Sequence, residues 1–200
     1  MEGMEGMDGM AMNMGDVSAT RADKVDGAAL ATGEFMLLDT RPQGFDDLAG
    51  TAWIARHAGG TTVTLEVTGL IPDADYISHV HADVCANNGG DHYQFEVGGS
   101  EMPPNEIHLA FTSDADGNGF MTAENHQIAG LDAVAFVIHP AELIDNKLAC
   151  VDFVELEEGA AAAAIEQGAD HDMDEMEMDE MDGMKVDMDD MGDDSMGDDS

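Results

Sequence analysis

The sequence predicts an all-β domain, a Greek-key β-sandwich or barrel of about eight antiparallel strands, with disordered N- and C-terminal tails. Three observations predict it. Between positions 45 and 158, short runs alternate apolar and polar residues, the period of a half-buried strand. Gly- and Asp-rich turns separate those runs, and no long helical period develops among them. At both ends the composition shifts to Met, Gly and acid, with too little apolar surface to offset the entropy of ordering.

Residues 1–16, "MEGMEGMDGMAMNMGD", place Met1, Met4, Met7 and Met10 every third position, followed by Met12 and Met14. A period of three lays no apolar stripe along a helix, and the glycines disfavour one, so a disordered tail is expected. Residues 17–44 read as a linker with a candidate edge strand at "EFMLLDT". The β domain at 45–158 opens with "TAWIAR" and "HAGG". It continues with "TTVTLEVTGL", where Val63, Leu65 and Val67 alternate with Thr and Glu. The Gly59-Gly60 pair marks a hairpin.

Further strands are expected at "YISHVH", "EIHLAFTS", "GFMTAEN", "AVAFVIH" and "ACVDFVEL". "DADGNG" joins two of them. It comes near a calcium loop, with Asp114, Asp116, Asn118 and Gly119 in position, but Glu124 falls one residue short of the bidentate place. No helices flank it, and a hairpin turn is the better reading. Residues 159–200 begin "GAAAAAIEQGAD", room for a helical turn or two, then carry 15 acids from Asp170 onward, a second disordered tail. Fourteen of the 17 methionines lie in the two tails and are not core residues.

The charge excludes some partners. Against 44 Asp and Glu stand 6 Lys and Arg, a net of -38, which repels nucleic acid and anionic membranes alike. The tails do not account for all of it. Residues 45–158 hold 20 acids against Arg56 and Lys147, a net of -18. An acidic folded core almost without lysine points to a halophilic source, where salt near 1 M screens repulsion within about 3 Å. No run of eighteen apolar residues exists, so no membrane span is expected. The opening residues do not form a signal peptide, so either an export segment has been removed or the protein stays inside.

The chemistry begins at "HVH". On a strand His79 and His81 face one way, about 7 Å apart at their Cα atoms, and Val80 faces the other. Alone, the pair suits exposed strand histidines as well as a metal. Six histidines of the β domain follow residue 75: His79, His81, His92, His108, His126 and His139. In order, HVH, Cys85, "NNGGDHYQF" with His92, "DADG", "FVIHP" with His139 and "KLAC" with Cys150 resemble the copper–zinc superoxide dismutase family over residues 50–155.

That resemblance implies copper held by His79, His81, His92 and His139, and a Cys85–Cys150 disulfide; counting alone leaves two free thiols open. It implies dismutation of superoxide to oxygen and hydrogen peroxide by Cu(II)/Cu(I) cycling. His92 would be the ligand released and protonated, and Lys147 would attract the anion. Imidazole donors suit copper. A disulfide favours an extracellular or cell-surface location.

The departures are as informative. The family's zinc site needs two further histidines and an aspartate, but "YQFEVGGSEMPPNEIH" has none until His108, and Phe111 stands three residues beyond it. Zinc is expected to be lost or rebuilt. A candidate second metal site at His108 and His126, with Asp91 or Glu124, competes with ordinary strand histidines. "HPAELIDNK" is short where the family has a long charged loop, and Lys147 replaces an arginine, losing its planar two-pronged donor. Together these resemble the copper-only branch.

Thioether sulfur is a soft ligand that favours Cu(I). Met10, Met12 and Met14, with Met176, Met178 and Met181, are candidate Cu(I) ligands; a flexible solubility tail is the alternative. A non-enzymatic copper-binding, storage or delivery protein on the same scaffold is the competing function, since a fold does not fix an activity.

Overall fold

The computed structural model describes residues 14–156. The expected disorder of residues 1–13 and 159–200 therefore lies outside the described residues, as do Met10, Met12, Met176, Met178 and Met181. Among the described residues are ten strands: β1 Ala29–Glu34, β2 Met36–Leu37, β3 Ala49–His57, β4 Gly60–Thr68, β5 Asp75–His81, β6 His108–Thr112, β7 Gly119–Asn125, β8 Ala135–Pro140, β9 Ala149–Asp152 and β10 Val154–Glu155. They form two five-stranded antiparallel sheets, β10-β1-β3-β4-β7 and β2-β9-β8-β5-β6. The β4–β7 pair lies in the first sheet while β5 and β6, between them in sequence, pair in the second. That crossing makes the fold a Greek-key sandwich.

Period-two patterning builds the core. Val63, Leu65 and Val67 of β4 meet Leu109 and Phe111 of β6 and Phe136 and Ile138 of β8, all buried between the sheets. Truncating Leu65 or Ile138 to Ala should cost about 2–5 kcal/mol.

Several expectations need correction. "ALATGE", assigned to the linker, is β1, which pairs with β3 along all six residues and turns Ala31 into the core. Its Ala and Gly carry a weak strand signal. The candidate edge strand shrinks to β2, at the edge of the second sheet against β9. "ACVDFVEL" divides at Phe153 into β9 and β10, which belong to different sheets. The hairpin turns on Ala58-Gly59, with Gly60 opposite His57 as the first residue of β4.

Met14–Asp16, grouped with the tail in the sequence reading, pack on the sandwich. Ala110 N–H on β6 donates to the Met14 carbonyl at 2.8 Å, and Asp16 N–H donates to the Thr122 carbonyl on β7 at 2.7 Å. Between them Gly15, at φ +110°, lies so close to β7 that a Cβ would stand 2.5 Å from Met121 Cγ. Because β6 and β7 end their sheets, these three residues span the gap between two outer strands.

Candidate metal centre

In β5, "DYISHVH", Tyr76 and Val80 point into the core, which turns Ile77, His79 and His81 to the outer face of the second sheet. His79 is paired with His108 on β6, and Ile77 with His139 on β8, so both partners share that face. An isolated bridge to His81 brings in His92. Such a face is commonly open to water. Here the β5–β6 and β8–β9 connections cover it, and His79, His81 and His139 are 1% exposed or less.

One ring nitrogen from each of His79, His81, His92 and His139 lies within 4.8 Å of every other. Hydrogen bonds orient two of the rings. His81 Nδ1 donates to the Gly90 carbonyl at 3.3 Å and His139 Nδ1 to the Ile144 carbonyl at 2.6 Å. A carbonyl only accepts, so each Nδ1 holds the proton and each Nε2 is bare. Those two Nε2 atoms, and both nitrogens of His79, are buried with no hydrogen-bond partner. Burying such an atom unpaired costs about 1–3 kcal/mol. Converging bare imidazole nitrogens are what a transition-metal ion would satisfy, so the residues fit one. Burial pushes the pKa of His81 down to about 3, that of His139 to about 4 and that of His79 further, holding all three in the neutral form a metal requires.

The turn after Cys85 positions this set. Asn88, Gly89 and Gly90 all have positive φ, at 54°, 75° and 61°. A Cβ on Gly89 would stand 2.7 Å from Val137 Cγ2 and 3.1 Å from His81 Nδ1, so only glycine lets the turn close against the ring. The turn also aims the Asn88 and Gly90 carbonyls at Lys147, whose Nζ donates to them at 2.7 and 3.0 Å. Burial lowers the lysine's pKa. The Cys85–Cys150 disulfide is formed, with Cα atoms 5.6 Å apart, and fastens the start of this turn to β9.

Sequence reasoning missed Glu106. This carboxylate is 2% exposed, and its Oε2 accepts from His92 Nδ1 at 2.7 Å and from His108 Nε2 at 2.9 Å. Gln94 Nε2 donates to Oε1 at 2.8 Å. Burial opposes ionisation, but the bonds from His108, Gln94 and His92 outweigh it and hold the carboxyl below its ordinary pKa. The available signal was Glu two positions before His108, the same-face spacing used for HVH.

The proposed pairing of His108 with His126 does not form. His126 is exposed beyond the end of β7, whereas His108 groups with Glu106 and His92. Glu124 is exposed too. Asp114 accepts from the N–H groups of Asp116 and Asn118 at 2.9 and 2.8 Å, the turn expected of "DADGNG".

A cleft of about 1040 Å³ opens over the cluster. Asp91, Glu101, Asp132 and Asp145 line it together with Lys147. No described helix is long and apolar enough to cross a membrane.

No family model matches the chain, and no curated protein matches it. Among solved structures it is similar to the Cu/Zn superoxide dismutase from Brucella abortus, at 18% identity and a TM-score of 0.46, over 62% of this chain and 98% of that one. A likeness of that degree assigns no activity. The functional reading rests on the four imidazoles.

Proposed function

We propose that the chain holds one copper ion at His79, His81, His92 and His139 and dismutates superoxide. The observation that carries this is the set of partnerless, buried imidazole nitrogens beneath an open cleft. Copper would supply a one-electron couple, so that two superoxide ions and two protons become oxygen and hydrogen peroxide. The protein's own groups position, attract and transfer protons. His92 Nδ1 is committed to Glu106, which leaves Nε2 to face the cluster and to take up or give a proton. Lys147 is the one Lys or Arg among the described residues lining the cleft, and its ammonium draws the anion inward. His92 Nδ1 and His108 Nε2 both donate to Glu106, while His108 Nδ1 is buried without a partner.

Metal analysis beside a superoxide assay at high salt tests this. We expect about one copper per chain held tightly outside the tails, lost in H79A/H81A together with activity. Undiminished tight Cu(II) binding in that variant would reject the site.

The acidic lining supports a second reading. Carboxylates outnumber the single lysine around the cleft, which suits cation capture better than anion entry. On that reading the protein stores or delivers copper, and a fully loaded chain without dismutase activity would establish it. We further place the protein at high salt, outside the cell or on its surface.

A further inference from the structure

Glu106 Oε2 accepts from both His92 and His108, while Oε1 accepts from Gln94 Nε2 at 2.8 Å. The last torsion of a glutamate is broad, so nothing within Glu106 itself fixes the plane of its carboxylate. With Oε1 released, the group could turn and give one oxygen to each imidazole, shifting His92. The Gln94 donor opposes that turn. Gln94 has the same torsional freedom in its own amide, and the loop that follows removes it. Gly98 N–H donates to Gln94 Oε1 at 2.9 Å; a backbone N–H only donates, so the amide nitrogen has to face Glu106.

That N–H belongs to a short, water-exposed loop. Residues 96–102 are exposed, and a turn from Glu96 to Gly99 closes with Gly99 N–H on the Glu96 carbonyl at 2.9 Å. Gly98, third in that turn, has φ +78°, which glycine adopts without strain. Asn105 ties the neck of the loop. Its Nδ2 donates to the Glu96 and Ser100 carbonyls at 3.0 and 2.9 Å, and its Oδ1 accepts from Glu96 N–H at 2.7 Å. Hydrogen bonds thus run unbroken from exposed Gly98 through Gln94 and Glu106 to His92.

We propose that Gln94 is a positioning residue for His92, acting through Glu106, and that the 95–105 loop serves to hold its amide in place. This rests on the copper reading of the histidine set. Gln94 moves no proton and no electron; it keeps the carboxylate plane, and with it the His92 ring, from turning. Among the described residues it is the one hydrogen-bond partner of Glu106 Oε1. Partners of metal-bound histidines typically contribute about 10–100-fold in metal affinity. One bond further out, Gln94 should contribute less, about three- to tenfold.

The test uses the full-length chain with and without copper. In the metal-free protein, NMR follows exchange of the His92 Nδ1 proton with water. In the loaded protein, competition with a Cu(II) chelator gives the affinity. Gln94→Met keeps the side chain's length and removes both of its bonds. It should speed the exchange about tenfold or more and lower Cu(II) affinity about three- to tenfold in folded protein. Asn105→Ala should act in the same direction and add nothing in the Gln94→Met background. In the Glu106→Ala background, Gln94→Met should change the affinity less than about twofold, because two residues that act through one contact do not add. Unchanged exchange and affinity in Gln94→Met, or its full loss of affinity repeated without Glu106, would overturn the proposal with the copper site intact. If H79A/H81A binds Cu(II) as tightly as the unaltered chain, the copper reading fails and takes the affinity effect with it. The exchange rate then still supports or overturns the hold of Gln94 on His92.

Discussion

Glu106 Oε2 lies 2.7 Å from His92 Nδ1, with the carboxylate fully enclosed and the imidazole at the edge of the cleft. The carboxylate sets which nitrogen of His92 is free and keeps the ring from turning.

Replacing that carboxylate should loosen the metal before it unfolds the protein. Glu106→Gln keeps the volume but cannot accept from His92 and His108 as an anion, and partners of metal-bound histidines typically contribute about 10–100-fold in affinity. A competition titration with a Cu(II) chelator measures this. Glu106→Ala should in addition destabilise the fold by about 1–3 kcal/mol for each polar partner left unpaired, seen as a lower Tm. Wild-type copper affinity in Glu106→Gln would remove the orienting role.

Reducing the disulfide should reach the metal through the turn. Cys85 begins the segment whose Gly90 carbonyl orients His81, and a bridge of this kind typically contributes about 2–4 kcal/mol. We expect a Cys85→Ser/Cys150→Ser variant to melt lower and to release copper faster. Equal release rates in folded oxidised and reduced protein would show that the turn holds its shape unaided.

The metal-free protein should be acid-sensitive. His81 and His139 have folded pKa values of about 3 and about 4 against an ordinary 6.5, so between those limits the unfolded chain binds protons that the folded chain refuses. Their contribution is complete above pH 6.5 and is lost as pH falls toward 4 and then 3. Urea midpoints of the apo-protein should therefore drop between pH 7 and pH 5. A flat profile over that interval would mean the histidines are not buried in the apo state.

Activity should rise with added salt. At about 0.01 M salt the Debye length is about 30 Å, and the whole acidic surface repels superoxide. At molar salt only charges within a few ångströms of its path act, which favours Lys147 over distant carboxylates. Lys147→Glu should reduce the rate most at low salt. A rate that falls with salt in protein shown to be folded would contradict this.

The strand pattern was legible wherever alternation met β-branched or aromatic residues, as in β4 and β8. It failed at β1, where Ala and Gly face the core and only pairing with β3 makes a strand. Among the histidines, His79 and His81 were readable from period two. His92 and His139 entered through the ordered resemblance, and the structure brings all four together. His126 could not be separated from His108 in one dimension, because which strand ends converge is set by sheet order. Glu106 was hidden for a related reason. A buried carboxylate is told from an exposed one only by its partners, and His92 and Gln94 lie 14 and 12 residues away.

Met14–Asp16 also govern how the molecule meets its own kind. The N–H of Ala110 and the C=O of Thr122 are outer-strand groups, and uncovered groups of this sort are templates for strand addition by a second chain. Net charge keeps copies apart in dilute buffer but not in strong salt, where its reach shrinks to a few ångströms. There the short lacing across both edges is what denies a neighbour its first hydrogen bonds. Removal of residues 14–16 would uncover the Ala110 N–H on β6 and the Thr122 carbonyl on β7 as templates of that kind.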